Sequence, residues 1–444
     1  MKTPICDFAR SYAERDALRL HMPGHKGLGD AQHRLDITEI EGADSLYEAS
    51  GIILESERNA GKLFGAHTFY STEGSSLCIR AMLFLADLIA KEQGKKTLVL
   101  AGRNAHKTFL SAVALLDLNV SWLAPKQGSA SYLSCPITAE DVEDAIKRHS
   151  PTALYLTSPD YLGNRVDTRR IAKVCKRHGV LLLVDNAHGA YLKFLTPSQH
   201  PIDLGADLSC DSAHKTLPVL TGGAYLHVSR NAPQTAQNEA KRAMALFGST
   251  SPSYLILESL DAANRILSEG YRESLSVFAD ASNACKARLE AHGYTLAGNE
   301  PLKITVLTKP YGYTGGELAK WLSDKQIECE FFDPDHLVLM LTPALGIQAL
   351  ARVEQVLCAL PQKAPLPDAP PQRTDAEQIC SVRQAMLAPS ERIAVKEAEG
   401  RVLASASVGC PPAVPIAICG ERITWAAIKA FGYYGITHIS VIRE

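Results

Sequence analysis

The chain has 444 residues, of which 46% are hydrophobic and 21% charged, and its formal net charge at pH 7 is -2. This length exceeds what one hydrophobic core usually organises, so we expect two or three domains. The small net charge gives no long-range reason to expect nucleic acid or an acidic membrane as a partner. No apolar run reaches the roughly 18 residues of a membrane span, and the first residues lack the apolar core of a signal peptide.

The eleven cysteines are scattered singly, and no Cys-x-x-Cys pair occurs. This distribution indicates neither a zinc ribbon nor a thioredoxin-type redox site. Single thiols suit a reducing compartment, so we expect a cytoplasmic protein. His21 and His25 are spaced like a metal-binding pair on a helix, but Pro23 and Gly24 between them disfavour a helix, and we predict no metal site.

Apolar residues between 77 and 91 have helical spacing, directly after a turn of small polar residues. The unpaired backbone N–H groups and the dipole at such a helix N-terminus attract a phosphate group. The residues predicted to lie there are Gly74, Ser75 and Ser76. A cap of this kind is also common without a ligand.

Short apolar runs then alternate with helical patterns. The predicted strands cover residues 97–101, 120–123, 153–157 and 180–184, and the helices between them include 139–149 and 168–179. This alternation is typical of βαβ units and a mainly parallel sheet. Polar groups on the loops that leave these strands are expected to converge at one edge of the sheet.

Two residues indicate the chemistry of the site. Asp185 ends an aliphatic run, as expected of a carboxylate at the carboxyl end of a buried parallel strand. Lys215 stands at a turn after the next short strand, beside Ser212 and His214. A partly desolvated lysine attacks aldehydes, and an aspartate stabilises a pyridinium nitrogen, as pyridoxal phosphate (PLP) requires. Either residue alone fits a structural role, whereas the pair in this order indicates a PLP enzyme.

The second half of the chain is organised differently. A helical pattern runs from residue 254 to about 292, and residues 301–360 have an α+β pattern. The proline-rich stretch 361–371 is a semi-rigid linker. We therefore predict a large PLP-binding domain (1–255), a small α+β domain (256–360), this linker and a C-terminal domain (372–444).

Several motifs are distinctive: HMPGHKG (21–27), RNAHK (103–107), DNAHG (185–189), SAHKTLP (212–218), STSPSY (249–254), and in the tail PPAVP (411–415) and GERI (420–423). Together they resemble the bacterial ornithine/lysine/arginine decarboxylase family, over nearly the whole chain. The resemblance implies an α/β fold of PLP-dependent transferase type I. Its large domain holds a mainly parallel seven-stranded sheet, and a smaller α+β part follows it.

The resemblance also implies a role for each matching residue. Lys215 carries PLP, Asp185 pairs with the ring nitrogen, and His106 stacks on the ring face. His188 lies near the ring's hydroxyl edge, and His214 lies beside the lysine–PLP linkage. The implied phosphate ligands are Gly74, Ser75, Ser76 and Ser212. In this family the STSPSY segment reaches the neighbouring subunit's cofactor, so we expect a homodimer or a higher even oligomer.

The implied reaction is decarboxylation of lysine, arginine or ornithine to the amine and CO2, with a place in polyamine biosynthesis. A proton then returns to Cα from His214 or Lys215. The main alternative is an aminotransferase, lyase or aldolase on the same fold. Aminotransferases of this fold commonly bind the α-carboxylate with an arginine of the small domain, and residues 289–351 contain none, which favours decarboxylation.

Two weaker alternatives also stay open. Ser212 and Lys215 match the Ser-x-x-Lys of penicillin-binding enzymes, but the companion Ser-Asp-Asn and Lys-Thr-Gly elements are absent. A non-catalytic protein that keeps the fold would purify without PLP.

Many relatives have glutamate and histidine where this chain has Asn186 and Tyr191. Asn186 follows Asp185 on an extended chain, so its side chain should point away from the ring.

The acidic cluster nearest the HMPGHKG loop consists of Glu39, Glu41 and Asp44. A desolvated carboxylate there would bind the distal positive charge of a basic amino acid. Asp44 is therefore the candidate substrate-binding residue. Solvated carboxylates without a role are the alternative, and the identity of the basic amino acid stays open.

Overall fold

A computed structural model describes residues 1–15, 17–123, 131–371, 376–406 and 413–444. Pro411 and Pro412 of the PPAVP motif lie outside the described residues. Residues 372–375, at the predicted start of the C-terminal domain, also lie outside them.

The described strands form a seven-stranded, a four-stranded and a two-stranded sheet. In chain order the strands are β1 (His67–Ser71), β2 (Leu98–Gly102), β3 (Asn119–Leu123), β4 (Ala153–Thr157), β5 (Leu181–Asp185), β6 (Leu208–Asp211), β7 (Ala224–Val228), β8 (Thr295–Ala297), β9 (Lys303–Leu307), β10 (Phe331–Phe332), β11 (His336–Met340), β12 (Ser390–Ala394) and β13 (His438–Ile442). The sheets have the strand orders β1-β7-β6-β5-β4-β2-β3, β10-β11-β9-β8 and β12-β13.

The α-helices alternate with these strands through the first half of the chain. They are α1 (Pro4–Ala13), α2 (Ala31–Leu35), α3 (Ile52–Phe64), α4 (Gly74–Glu92), α5 (Lys107–Leu116), α6 (Ala139–His149), α7 (Thr168–His178), α8 (Pro201–Leu204), α9 (Ala213–Thr216), α10 (Gln234–Ala245), α11 (Tyr254–Ser268), α12 (Tyr271–Ala291), α13 (Gly315–Ser323), α14 (Ile347–Cys358), α15 (Val382–Leu387) and α16 (Trp425–Tyr433). No described helix is both long and apolar enough to span a membrane.

The large sheet confirms the predicted fold class. Strands β2 and β3 pair in parallel, as do β5 and β6, whereas β7 is antiparallel to both of its neighbours, β1 and β6. Strand β4 has the predicted bounds, β3 begins one residue earlier than predicted, and β2 and β5 are each shifted by one residue toward the C-terminus. The aliphatic run of β5 is fully buried at Leu182, Leu183 and Val184, as expected of a parallel strand covered on both faces.

The predicted continuous helix from residue 254 to about 292 is wrong. Helix α11 ends at Ser268 and α12 begins at Tyr271. Gly270 between them has φ +78°, a left-handed conformation that a residue within a right-handed α-helix does not adopt. Apolar spacing continues on both sides of this break, so the periodicity alone suggested one helix.

The chain forms two compact units, each built from separate segments. The first consists of residues 1–97, 152–154 and 168–276, and the second of residues 98–151, 155–167 and 277–444. In the second unit, β12 and β13 pair antiparallel and cover a small apolar core that includes Ile423, Phe431 and Val441. The predicted domain boundaries stay predictions.

Candidate active site

The candidate site in the first unit lies where β5 and β6 end side by side. The two strands pair in parallel, with Asp185 beside Cys210. The residues that follow each strand therefore leave the same edge of the sheet. The predicted site residues on or after these two strands are Asp185, His188, Ser212, His214 and Lys215.

Lys215 lies on the one-turn helix α9 and is partly buried. Its Nζ atom is 3.1 Å from Nε2 of His188, a residue that is only 5% exposed. An ammonium group donates and cannot accept, so Nε2 of His188 carries the lone pair when Lys215 is charged. The fold thus brings a nucleophilic amine and an imidazole into contact.

His214 contacts the carbonyl group of Gly223 through two of its nitrogens. Its backbone N–H and its ring Nδ1 both lie at hydrogen-bond distance from the oxygen of Gly223, at 3.1 Å and 3.0 Å. Because a carbonyl oxygen only accepts, Nδ1 of the ring carries a proton. This contact orients the ring of the residue that precedes Lys215.

Asp185 is buried, and its carboxylate accepts from a backbone amide and from a thiol. One carboxylate oxygen, Oδ1, accepts the backbone N–H of Ala187 at 3.2 Å and the thiol of Cys210 at 3.6 Å. Burial raises the pKa of the Cys210 thiol well above its usual value, so the thiol stays protonated and can donate. The two contacts fix the carboxylate in one orientation at the end of β5.

The predicted phosphate ligands meet at the start of α4, a helix of 19 residues. The Ser212 hydroxyl donates to the Ser75 hydroxyl at 2.9 Å, and Ser76 lies next in the chain. Gly74 has φ +69°, and its N–H donates to the oxygen of Gly222 at 2.7 Å. The Gly74 amide is therefore already used, so the serine hydroxyls and the positive end of the helix are the groups suited to an anion.

His106 belongs to the second unit, where it is the N-cap of α5. Its Nδ1 accepts the backbone N–H of Thr108 at 3.1 Å, which places the ring proton on Nε2. The ring is only partly buried. The contact fixes the imidazole, while its predicted stacking on PLP stays a prediction.

Residues of the tail hold α5 near both of its ends. The Lys107 N–H donates to the oxygen of Ala413 at 2.9 Å, and one nitrogen of Arg103 donates to both oxygens of Glu421 at 2.6 and 2.7 Å. At the other end, Arg383 donates to the oxygen of Ala114 at 2.8 Å. The tail therefore supports the helix whose N-cap is His106.

Asp44 has extensive contacts with the backbone. Its carboxylate accepts the N–H group of the next residue, Ser45, and four N–H groups around the start of α3, those of Ser50, Gly51, Ile53 and Leu54. Burial acts to raise the pKa of Asp44, but these hydrogen bonds outweigh it and the pKa is lowered. Asp44 thus caps α3, and its predicted role in substrate binding stays a prediction.

The two histidines of the HMPGHKG loop have separate partners. His21 Nε2 is 2.7 Å from the hydroxyl of Tyr12, and His25 Nε2 is 3.1 Å from Asp36. Each ring thus has its own hydrogen-bond partner, and the predicted absence of a metal pair stays a prediction.

None of the predicted site residues lines a cavity of about 620 Å³ in the first unit. Thr152, Gly179 and Asp207 line it, and these residues precede β4, β5 and β6. The cavity is therefore at the amino ends of the strands. Ligands of open parallel sheets bind at the carboxyl ends, where Asp185 and Lys215 lie.

Comparison with known proteins gives one consistent result. Residues 3–305 match the family model described as "Orn/Lys/Arg decarboxylase, major domain". The chain is 29% identical to "Uncharacterized protein YaaO" of Bacillus subtilis, over 97% of this chain and 93% of that protein. It is 28% identical to the arginine decarboxylase of Bacillus subtilis, over 95% and 91%. The lysine decarboxylase of Francisella novicida has a similar structure, with TM-score 0.80 at 16% identity over 99% and 81% of the two chains.

The fold is that of the PLP-dependent enzymes of the aminotransferase type. The chain belongs to the Orn/Lys/Arg decarboxylase family, whose model matches more than half of it. The predicted family, fold class and enzyme class, a decarboxylase of basic amino acids, are confirmed. The individual site residues stay predictions.

Sequence reasoning missed the contacts that surround Asn186. The Asn186 amide donates to Asp211 at 2.7 Å, and a Cβ atom at Gly189 would lie 2.0 Å from Asn186 Oδ1. Gly189 has an ordinary φ of -119°, so glycine is needed there for space and not for backbone conformation. The DNAHG motif contains both residues, but only the structure shows that they touch.

We expect Gly189→Ala to push Asn186 out of place and to disturb the turn that carries Asp185 and His188. Such overpacking costs about 1–3 kcal/mol of folding free energy. Urea unfolding of the protein without PLP measures this cost, and quenching of protein fluorescence by added PLP measures the loss of cofactor affinity. Gly432→Ala is the control, because its Cβ would meet no atom within 4 Å. Equal results for the two variants would contradict the expectation.

Proposed function

We propose that this protein binds PLP through Lys215 and decarboxylates arginine to the corresponding amine. The observation that carries this proposal is the 3.1 Å contact between Lys215 and His188, on the strand connections that also bear Asp185. Arginine is the first substrate to test, because the relative named arginine decarboxylase aligns over nearly the whole of both chains. Polyamine biosynthesis and a cytoplasmic location stay predictions.

The residues present fit the cofactor. Lys215 supplies the amine for its aldehyde, and the hydroxyls of Ser75 and Ser212, 2.9 Å apart at the start of α4, suit its phosphate together with Ser76. Asp185 supplies a buried carboxylate for the ring nitrogen. When bound, PLP supplies an electron sink for the pair of electrons that CO2 leaves behind.

Asp185 would favour a proton on the ring nitrogen, because a negative carboxylate in a buried site stabilises a neighbouring positive charge. The N–H of Ala187 and the thiol of Cys210 hold that carboxylate in place. His188 Nε2 lies 3.1 Å from Lys215 Nζ and orients the amine, accepting from it when Lys215 is charged. Lys215 or His214 would return the proton to Cα of the substrate.

The absence of arginine between residues 289 and 351 is consistent with this reaction. A tight clamp on the carboxylate would stabilise the charged ground state more than the transition state, in which that charge is being lost. A decarboxylase is therefore better served by a site without such a clamp.

Borohydride reduction of the PLP-loaded protein should fix the cofactor on the peptide that contains Lys215. Lys215→Ala should remove this label and lower turnover by at least the roughly 10²–10⁴-fold expected for loss of an acid–base group. Peptide mapping locates the label. The control is Lys173→Ala, which replaces an exposed lysine on α7. This variant should keep the label on Lys215. A label on another lysine would overturn the assignment.

We expect kcat/KM to be highest for arginine, compared with lysine, ornithine and norleucine. A charge-assisted hydrogen bond of about 1.5–3 kcal/mol makes a basic amino acid roughly tenfold to hundredfold better than neutral norleucine. Equal values for norleucine and arginine would contradict a basic substrate, and a higher value for lysine or ornithine would contradict arginine.

Asp44→Asn in the same assay tests the predicted substrate contact, with exposed Glu41→Gln as its control. A smaller preference for arginine over norleucine supports the contact. A lower Tm with an unchanged preference assigns Asp44 to the start of α3 alone, in keeping with its five backbone partners.

We also propose that the active unit is a homodimer with shared sites. Leu18, Leu20 and Leu28, near the HMPGHKG loop, are 84%, 83% and 76% exposed, an apolar surface suited to a second copy. In the STSPSY segment, the Ser249 N–H donates to Glu73, which directly precedes Gly74. The segment thus begins beside the predicted phosphate ligands of its own chain.

Mixing inactive Lys215→Ala subunits with inactive Ser251→Arg subunits should restore activity, because one site of each mixed dimer regains both intact parts. Ser251 is exposed, so this change should not unfold the subunit itself. Random exchange predicts roughly a quarter of wild-type activity, since half of the dimers are mixed and each has one intact site. Confirmed mixed dimers without activity would contradict shared sites.

A further inference from the structure

Asp211 is a buried carboxylate near the candidate site. No role was predicted for it from the sequence. It is the last residue of β6 and is fully buried. Its carboxylate lies within hydrogen-bond distance of three side chains: Nε2 of His200 at 3.0 Å, Nε2 of His227 at 3.1 Å and Nδ2 of Asn186 at 2.7 Å. All three of these residues are also fully buried.

The other nitrogen of each ring shows which atom carries the proton. Nδ1 of His200 accepts the backbone N–H of Ile202 at 3.3 Å, so the proton is on Nε2 and points to Asp211. Nδ1 of His227 is 2.9 Å from the Thr68 hydroxyl, which can donate to it. Burial lowers the pKa of His227, which favours the neutral ring. Both rings therefore donate to Asp211 through Nε2–H.

The same residues also have the composition of a two-histidine, one-carboxylate metal site. The potential ligand atoms of His200, Asp211 and His227 all lie within 4.8 Å of one another. A metal ion needs the lone pair of a ring nitrogen, however, and the Ile202 N–H leaves Nε2 of His200 protonated. The cluster is therefore better explained as a carboxylate with three hydrogen-bond donors.

These donors keep Asp211 ionised inside the protein. Burial acts to raise its pKa, but His200 and His227 outweigh burial and the pKa is lowered. An ionised carboxylate without water must have its oxygens hydrogen-bonded, and removing one donor is costly. The cluster thus fixes the positions of its members strongly.

Asn186 links this cluster to the site. Its side-chain amide donates to Asp211. Its backbone N–H donates to the backbone oxygen of Cys210 at 2.9 Å, and its backbone oxygen accepts the N–H of Gly189 at 2.8 Å. Asp185 immediately precedes Asn186, and His188 lies two positions after it. The turn that carries both predicted cofactor contacts is therefore anchored through Asn186.

We propose that Asp211 is a positioning residue of the reaction, which holds Asn186 and thereby sets Asp185 and His188 against the cofactor. The proposal rests on the proposed function, because it assumes that these two residues face PLP. It also gives a physical reason for asparagine at position 186. A glutamate there would bring a second carboxylate toward Asp211, whereas the amide donates to it.

Asp211→Asn tests the proposal. An amide at 211 keeps one acceptor oxygen, whose two lone pairs face three donors, so at least one donor loses its partner. We expect PLP affinity to fall about tenfold or more, the cost of one hydrogen bond to a charged group, and the pH midpoint of the PLP absorbance to shift. Asn186→Ala, which leaves the histidine contacts in place, should produce the same two changes to a smaller extent.

Asp87→Asn is the matched control. Asp87 is a buried carboxylate of α4, 7% exposed, bonded to Thr97 and Lys91. It should lower Tm without changing PLP affinity or the pH midpoint. If Asp211→Asn and Asn186→Ala behave in the same way as this control, Asp211 is only structural and the proposal is wrong.

The exchange variant Asp211→Asn with Asn186→Asp restores an amide–carboxylate pair with the roles reversed. We expect it to recover part of the lost PLP affinity and to move the pH midpoint back toward the wild-type value. An exchange variant with properties no better than those of Asp211→Asn would count against the Asp211–Asn186 contact as the link.

Nitrogen NMR of labelled histidines in the protein without PLP tests the cluster separately from the proposed function. Nε2–H signals for His200 and His227 that persist on addition of zinc support it, and their loss with zinc would overturn it in favour of a metal site. A wild-type protein that shows these signals but binds no PLP would contradict the proposed function and leave the hydrogen-bonded cluster standing.

Discussion

The parallel pairing of β5 with β6 is the constraint on which the candidate site depends. Because the two strands run in the same direction, their carboxyl ends reach the same edge of the sheet. Asp185 then lies beside Cys210, and the connections that follow bring His188 to within 3.1 Å of Lys215. An antiparallel pairing would send the two connections to opposite edges and separate the acid from the amine.

The parts of the site that are local in the chain could be predicted from the sequence. Asp185 ends one short buried strand, Lys215 follows the next, and the helix start at Gly74 follows a polar turn. The cluster around Asp211 could not be predicted, because its members come from separate connections and from β7. His227 sits in an apolar run, where nothing in the sequence distinguishes a ring bonded to a carboxylate from an ordinary core residue.

Turn geometry limited other predictions in the same way. Asp44 belongs to an acidic stretch that suggests a solvated or ligand-binding loop, yet its oxygens accept N–H groups up to ten positions away. The break at Gly270 interrupts a helical pattern whose apolar spacing continues beyond it. Backbone hydrogen bonding decided the first case and the left-handed backbone at Gly270 the second, whereas side-chain patterns report mainly burial.

Arg103 and Glu421 are 318 positions apart, so the ribosome adds them at very different stages of synthesis. Until Ala413 and Glu421 have been added, the Lys107 N–H lacks its acceptor and Arg103 lacks this carboxylate. The start of α5 therefore reaches its final form only late in translation. All predicted cofactor-binding residues are synthesised before Ala413 and Glu421. A chaperone or protease that acts on the unfinished chain would therefore meet α5 without its contacts to the tail.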